Sequence, residues 1–182
     1  MESRSAVLTY RDYAALPDDG RRYELHDGIL SVTPAPGSRH QRISRNLFLL
    51  LQRHVEARRL GEVLYAPLDV ILNDKTVLQP DIVYFDHSRL AALSERGVEG
   101  APTLVVEIIS PSTTMIDRVT KPRLYAQHLV PFFWLVDPEA RSLEAFALGP
   151  EGYSLVVRAS GATPVGPPPF PDLALVPASL WP

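Results

Sequence analysis

The chain has no cysteine. That excludes a disulfide framework, a thiolate nucleophile and a cysteine-rich zinc site, and it fits a reducing compartment. No run of about 18 apolar residues occurs, so no membrane-spanning helix and no membrane partner are expected. The stretch Met1-Glu-Ser-Arg-Ser5 lacks the apolar core of a signal peptide, and the expected location is the cytoplasm. Lysine is nearly missing: of 18 basic residues only Lys75 and Lys121 are Lys. Arginine holds its proton under almost all conditions, whereas a lysine can be tuned and offers a compact ammonium. In such a chain a lone lysine near acids is a candidate for chemistry. The formal net charge of −3 argues against a protein that grips nucleic acid through overall charge. It leaves room for a local basic groove around an acidic metal centre.

What is present centres on two acids in apolar surroundings. Leu104-Val-Val-Glu-Ile-Ile109 reads as one buried strand, apolar except at Glu107. A carboxylate inside such a run is costly unless it is paired or coordinated. Gln79-Pro-Asp-Ile-Val-Tyr-Phe85 is a second short β-rich run, opened by Pro80-Asp81. If the two strands pair, Asp81 and Glu107 stand side by side and offer the hard oxygen ligands that Mg²⁺ takes. Glu24 also interrupts a β-prone run. Lys121, on a helix just after the Glu107 strand, would return over the sheet, where a lysine could help deprotonate a bound water or stabilise the transition state. His40 lies in the first turn of a long helix, near its apolar stripe. Each residue also has a plainer reading. Asp81 could open a turn, Glu107 could pair with an arginine, and Glu24 could be an exposed strand residue. His40 could be a packed helix residue.

The remaining pattern is mixed. Thr9 caps a short helix ended by Pro17. Arg22 to Thr33 is a hairpin turned at Asp27-Gly28. Ser38 is read as the cap of a helix running to about Arg59, with Ile43, Leu47, Leu50, Leu51 and Val55 on its apolar face and Arg42, Arg45 and Arg53 opposite; Gly61 is read as its stop. Strands follow at Glu62–Ala66 and Leu68–Leu72, then a turn at Asn73–Lys75, and a short helix and loop at 86–101. Asp117 or Thr120 caps a helix through His128. Pro122 fits a helix that begins at Thr120 or Lys121, where its missing N–H costs nothing. Phe132–Val136 is a buried strand, Leu143–Leu148 and Tyr153–Arg158 a closing antiparallel pair, and Leu173–Trp181 a last short strand or turn. The expected class is α/β (α+β), with one mixed sheet flanked by helices.

These residues carry a resemblance. Tyr23-Glu-Leu-His-Asp-Gly28, Pro34-Ala-Pro36 with Arg39-His-Gln41, Ala66-Pro-Leu-Asp-Val70, Gln79-Pro-Asp81, Val105-Val-Glu-Ile-Ile-Ser-Pro-Ser112, Lys121 with Leu124-Tyr125, and Val130-Pro131 with Trp134-Leu-Val-Asp-Pro138 together resemble the Uma-type endonuclease family of the PD-(D/E)XK nuclease superfamily. The resemblance implies a restriction-endonuclease-like core over residues 1–182, a central mixed sheet with helices on both sides and added antiparallel strands. The Pro-rich tail, 164–182, is expected to pack on it. It also implies a Mg²⁺- or Mn²⁺-dependent phosphodiesterase acting on nucleic acid, with DNA expected. Asp81 is then the first acid and a metal ligand, Glu107 the second, and Glu24 the upstream acid. The superfamily places a lysine two residues after the second acid. Ile109 stands there in this chain, and Lys121 matches the lysine moved to the following helix.

The expected activity is therefore metal-dependent endonucleolytic cleavage, with His40 behind the reacting groups and a homodimer suited to cutting two strands. The competing reading is a catalytically inactive nuclease-fold protein that binds a partner, motivated by the acidic net charge, the displaced lysine and the lack of a DNA-reading motif. A weaker one is a paired-carboxylate glycosidase, which needs its two acids apart across an open cleft.

Overall fold

A computed structural model describes residues 7–182. Helix α1 (Tyr10–Ala14) starts after Thr9, whose N–H and hydroxyl both donate to the Asp12 carboxylate at 2.8 Å. Strands β1 (Arg22–His26) and β2 (Ile29–Thr33) form the expected hairpin. Its turn residues Asp27 and Gly28 take φ of 50° and 83°, the left-handed pair that a tight two-residue hairpin requires. Helix α2 (Ser38–Arg58) buries Ile43, Leu47, Leu51, His54 and Val55, while Arg42, Arg45 and Arg53 are exposed. Gly37 takes the capping position expected of Ser38. The helix ends through Arg59, at φ 53°, rather than through Gly61. Gly61 has another task. It opens β3 (Gly61–Tyr65) at φ +140°, where a Cβ would stand 1.9 Å from the Phe85 carbonyl oxygen.

The following region departs most from expectation. Strand β4 (Val70–Asn73) begins two residues later than read, and β5 (Thr76–Leu78) is an additional strand after the Asn73–Lys75 turn. After β6 (Ile82–Asp86), the stretch expected as a short helix and loop holds a single 3₁₀ turn, Leu90–Ala92, then β7 (Leu93–Ser94) and β8 (Gly97–Glu99). Pairing decides this: β8 lies parallel to β4, with Val98 opposite Val70. So short a strand is set by its neighbours rather than by its own propensity. Strand β9 (Leu104–Ile108) is buried throughout. Helix α3 (Lys121–Gln127) follows a wide helical turn at Ile116–Thr120 and carries Pro122 in its first turn. Strands β10 (Phe132–Asp137), β11 (Ser142–Gly149) and β12 (Gly152–Ser160) complete the set.

The strands form two mixed sheets. The central one runs β12-β11-β10-β9-β6-β3, with β9 and β10 parallel and its other pairs antiparallel. The α3 connection makes that parallel step possible. The second sheet runs β2-β1-β5-β4-β8-β7 and contributes the added strands. Alternation along β9 divides the interior. Leu104, Val106 and Ile108 join a core with α2 and the C-terminal residues Phe170, Leu173, Leu175 and Leu180. Val105 and Ile109 join a second core with Leu124, Tyr125, Val70 and Leu78. Glu107 shares the parity of that second face.

The Pro-rich tail is part of the first core. Phe170 is buried against Tyr84, His54 and Trp134, and the Trp134 indole N–H donates to the Pro168 carbonyl at 2.7 Å. Phe170→Ala is accordingly expected to cost about 3–5 kcal/mol in urea denaturation. A loss below about 1 kcal/mol would show that the tail only lies on a finished core.

Candidate active site

The β6–β9 register builds the site. The Asp81 N–H donates to the Val106 carbonyl at 3.1 Å, and the Ile108 N–H donates back to Asp81 Oδ2 at 2.7 Å. The Asp81 carboxylate is thus locked to the backbone of the strand that carries Glu107. Glu24 reaches in from β1 and accepts the Gln79 N–H at 2.8 Å, which ties the second sheet to the residue two before Asp81. Lys121, at the start of α3, reaches back as its position after β9 requires. All five residues singled out in the sequence — Glu24, His40, Asp81, Glu107 and Lys121 — line one cavity of about 170 Å³.

Within it, the Lys121 ammonium is the hub. Its Nζ lies 2.9 Å from Glu24 Oε1, 3.1 Å from both oxygens of Glu107 and 3.7 Å from Asp117 Oδ1. Lys121, Glu24, Glu107 and Asp117 are all 3% exposed or less, so these charges have no solvent to fall back on. The Tyr125 hydroxyl donates to Glu107 Oε1 at 2.6 Å, and the Thr113 hydroxyl donates to Asp117. His40 is not a core residue of α2. Its Nε2 lies 3.0 Å from the Ile108 carbonyl oxygen and 3.2 Å from Asp81 Oδ2. The plainer readings of the acids fail on position. Glu24 is buried rather than exposed, and the partner of Glu107 is Lys121 rather than an arginine. Asp81 is bonded to the backbone of the strand that carries Glu107, so the two acids do not stand apart across an open sugar cleft, which counts against the glycosidase reading.

Arg22, Asp117 and Tyr125 were not singled out by sequence. Arginine is the common base of this chain, Asp117 looks like a helix cap, and Tyr125 sits at a core position of α3. The one available signal was spacing: Asp117 and Lys121 are four apart, one helical turn.

Titration follows from this crowding. Burial works against charge at Lys121, yet Glu107 and Glu24 outweigh it and hold the ammonium protonated above its usual range. Burial likewise opposes ionisation of Glu24, but Lys121, His26 and Arg22 overcome it and keep that carboxylate below its usual range. Asp81 is also lowered against burial, by His40, Arg22 and the Ile108 N–H. For Glu107 burial wins: opposed by Lys121 but reinforced by Asp117, Asp81 and Glu24, it pushes the carboxyl up to about 8. Asp117 is raised too, chiefly by burial. Charge counting supports that direction, because the four lining carboxylates meet only two permanent cations, Arg22 and Lys121.

The donor chemistry fits a hard cation. Asp81 and Glu107 offer carboxylate oxygens inside a cavity with excess negative charge. Among the described residues no three His, Asp or Glu side chains are grouped to hold a metal ion. Mg²⁺ accordingly would take one or two carboxylates here and complete its shell with water and substrate oxygens, as it commonly does.

This fold and cavity define a restriction-endonuclease-like protein, and the comparisons agree. A crystal structure described as a "putative nuclease belonging to DUF820" from Anabaena variabilis superposes with a TM-score of 0.77 at 21% identity, covering 95% of this chain and 97% of that one. Residues 10–178 match the model of the family Uma2, described as "Putative restriction endonuclease". The chain belongs to that family. No curated protein matches it. Among the described residues no helix is long and apolar enough to cross a membrane.

The raised Glu107 carboxyl has a consequence for the metal-free protein. An unfolded chain releases this proton near 4.5 and the folded one near 8. Between those values the folded state holds more protons, so this group makes stability fall as pH rises, and the fall ends above about 8. Urea denaturation in EDTA is expected to show that decline in the wild type and its loss in Glu107→Gln. An unchanged slope in the variant would place the proton elsewhere.

Proposed function

We propose that this protein is a metal-dependent endonuclease that hydrolyses DNA phosphodiester bonds, working in the cytoplasm as one restriction-endonuclease-like unit. The observation that carries this reading is the convergence of Asp81, Glu107, Glu24 and Lys121, from four separate elements, in one buried cavity. Asp81 and Glu107 would hold Mg²⁺ or Mn²⁺. When bound, such an ion neutralises charge on phosphoryl oxygens and makes a water a stronger acid.

The chain's own residues account for the rest. Asp81, clamped by the Ile108 N–H, presents its carboxylate with little freedom to reorganise. Glu24 anchors the Lys121 ammonium from the opposite sheet, so that the ammonium stays beside Glu107. There it can orient the attacking water and stabilise charge that develops on the phosphorane oxygens. Tyr125 fixes the Glu107 carboxylate from α3. His40 holds Asp81 and the Ile108 carbonyl from the start of α2, as a positioning group. The site stays dry enough for these charges to act strongly, because each is buried.

Access for a strand is provided beside the cavity. A second hollow of about 500 Å³ shares Gly37, His40, Ser110 and Pro111 with it and adds Ile109 and Pro138 as apolar wall. This gives the nucleotide flanking the reacting phosphate a place to rest. Arg39, in the first turn of α2, also lines that hollow. A homodimer would present two such sites to two strands.

The test is cleavage. Asp81→Asn and Glu107→Gln are each expected to reduce Mg²⁺- or Mn²⁺-stimulated cleavage of DNA by at least about a thousandfold, and Lys121→Met by about a hundred- to a thousandfold, with folding intact by circular dichroism. Wild-type rates in both acid variants, or a wild type that cuts neither DNA nor RNA with any divalent ion, would favour the non-catalytic binding protein instead.

A further inference from the structure

Three buried side-chain polar atoms among the described residues have no hydrogen-bond partner: Arg22 Nη2, His40 Nδ1 and Gln52 Oε1. Two of the three belong to residues that line the cavity described above. A buried donor left unmet costs about 1–3 kcal/mol, and such atoms mark places where a ligand or catalytic role is missing from view.

Arg22 is the informative one. It lies on β1 two residues before Glu24, so both side chains leave the strand on the same face. Its side chain is 19% exposed, and its Nη1 stands 3.5 Å from Asp81 Oδ1. That distance is long for an ion pair. The reason is that Asp81 Oδ2 is already committed to the Ile108 N–H and to His40. Arg22 therefore cannot close a two-pronged pair on Asp81, which is the arrangement a guanidinium adopts when a carboxylate is its only purpose. The other half of its fork, Nη2, has no hydrogen-bond partner and is enclosed in this fold, so it meets a ligand only when the guanidinium turns toward one. The charge is not in question, because Asp81, Glu24 and Glu107 outweigh burial and raise its proton affinity further.

We propose that Arg22 is a catalytic residue that receives a non-bridging oxygen of the reacting phosphodiester on its free Nη2, while Nη1 remains with Asp81. This rests on the phosphodiesterase reading above and adds the group that recognises the substrate anion. Four carboxylates repel a phosphodiester, and Lys121 is enclosed by three of them. Of the two permanent cations lining the cavity, Arg22 is the one that keeps a donor nitrogen, Nη2, without an acid on it. A guanidinium donates along fixed directions, so one arm can meet a phosphate oxygen while the other stays with Asp81, and contact in a buried site strengthens as charge grows on that oxygen during attack.

The test uses the full chain and a fluorescent oligonucleotide that the wild type cuts, with Ca²⁺ in place of a cleavage-supporting ion so that binding can be read alone. Two strands are compared, one native and one with a methylphosphonate at the cleaved linkage, in which a neutral methyl replaces a charged oxygen. The wild type is expected to bind the methylphosphonate strand about tenfold more weakly. Arg22→Gln is expected to bind the native strand weaker by a similar factor and to lose the distinction between the two strands. Its cleavage should fall by about a hundred- to a thousandfold, while Mn²⁺ affinity without DNA stays within about threefold of wild type. Arg22→Lys, which keeps the charge and loses the fork, should fall between, and it carries the same comparison if Arg22→Gln does not fold. Retained discrimination in the variants, with weakened Mn²⁺ binding, would overturn the proposal and leave Arg22 as a holder of Asp81. If the wild type cuts while the variants still discriminate, this inference alone falls. If the wild type neither binds nor cuts any strand, the nuclease reading falls with it.

Discussion

The interaction on which the rest of the site depends is the buried ammonium of Lys121. Glu24, Glu107 and Asp117 come from a hairpin strand, the central sheet and a helical turn, and none can stay charged in the interior without a counter-ion. Lys121 touches all three. It therefore does two things with one group: it makes the convergence of acids tolerable, and it sits beside the acid proposed to bind metal. The same fact explains why the position two residues after Glu107 can be apolar. Ile109 packs into the second core, and the ammonium arrives instead from the next helix, whose first turn the β9–β10 crossover brings over the sheet.

A second constraint is the backbone lock on Asp81. Antiparallel pairing of β6 and β9 sets Asp81 beside the strand of Glu107: the Asp81 N–H donates to the Val106 carbonyl, and the Asp81 carboxylate accepts the Ile108 N–H. The relative placement of the two acids is thus set by sheet register, and the Ile108 N–H fixes the Asp81 rotamer on top of it. Shifting one strand by one residue would turn its side chains to the opposite face. The fold and the proposed chemistry are in this sense the same interaction. The cost is an acidic cavity that must still admit an anion, and the unpartnered Nη2 of Arg22 is where the structure meets that need.

Much of this was legible in the sequence, for physical reasons that can be named. Glu107 and Asp81 stood out because a carboxylate in an apolar run demands an explanation. Lys121 stood out only because a scarce lysine follows the strand of a buried acid. Glu24 was legible as an acid in a strand, but whether it was buried depended on the second sheet, which local pattern did not reveal. Strands β5, β7 and β8 were missed because two- and three-residue strands exist only through their partners. Arg22 was hidden among many arginines. Its significance lies in an unmet hydrogen bond, which no sequence displays. His40 was placed in the right turn of α2, yet its contact with the Ile108 carbonyl crosses 68 residues of chain.

The most direct test of the central claim, that Asp81 and Glu107 form a cation site beside Lys121, is a crystal structure of the wild type grown with Mn²⁺ and measured at an anomalous-scattering wavelength. The account predicts one anomalous peak in the cavity, coordinated by both carboxylates, with Lys121 still held by Glu24. A peak elsewhere, or none at millimolar Mn²⁺ with the Lys121–Glu107 contact unchanged, would contradict it.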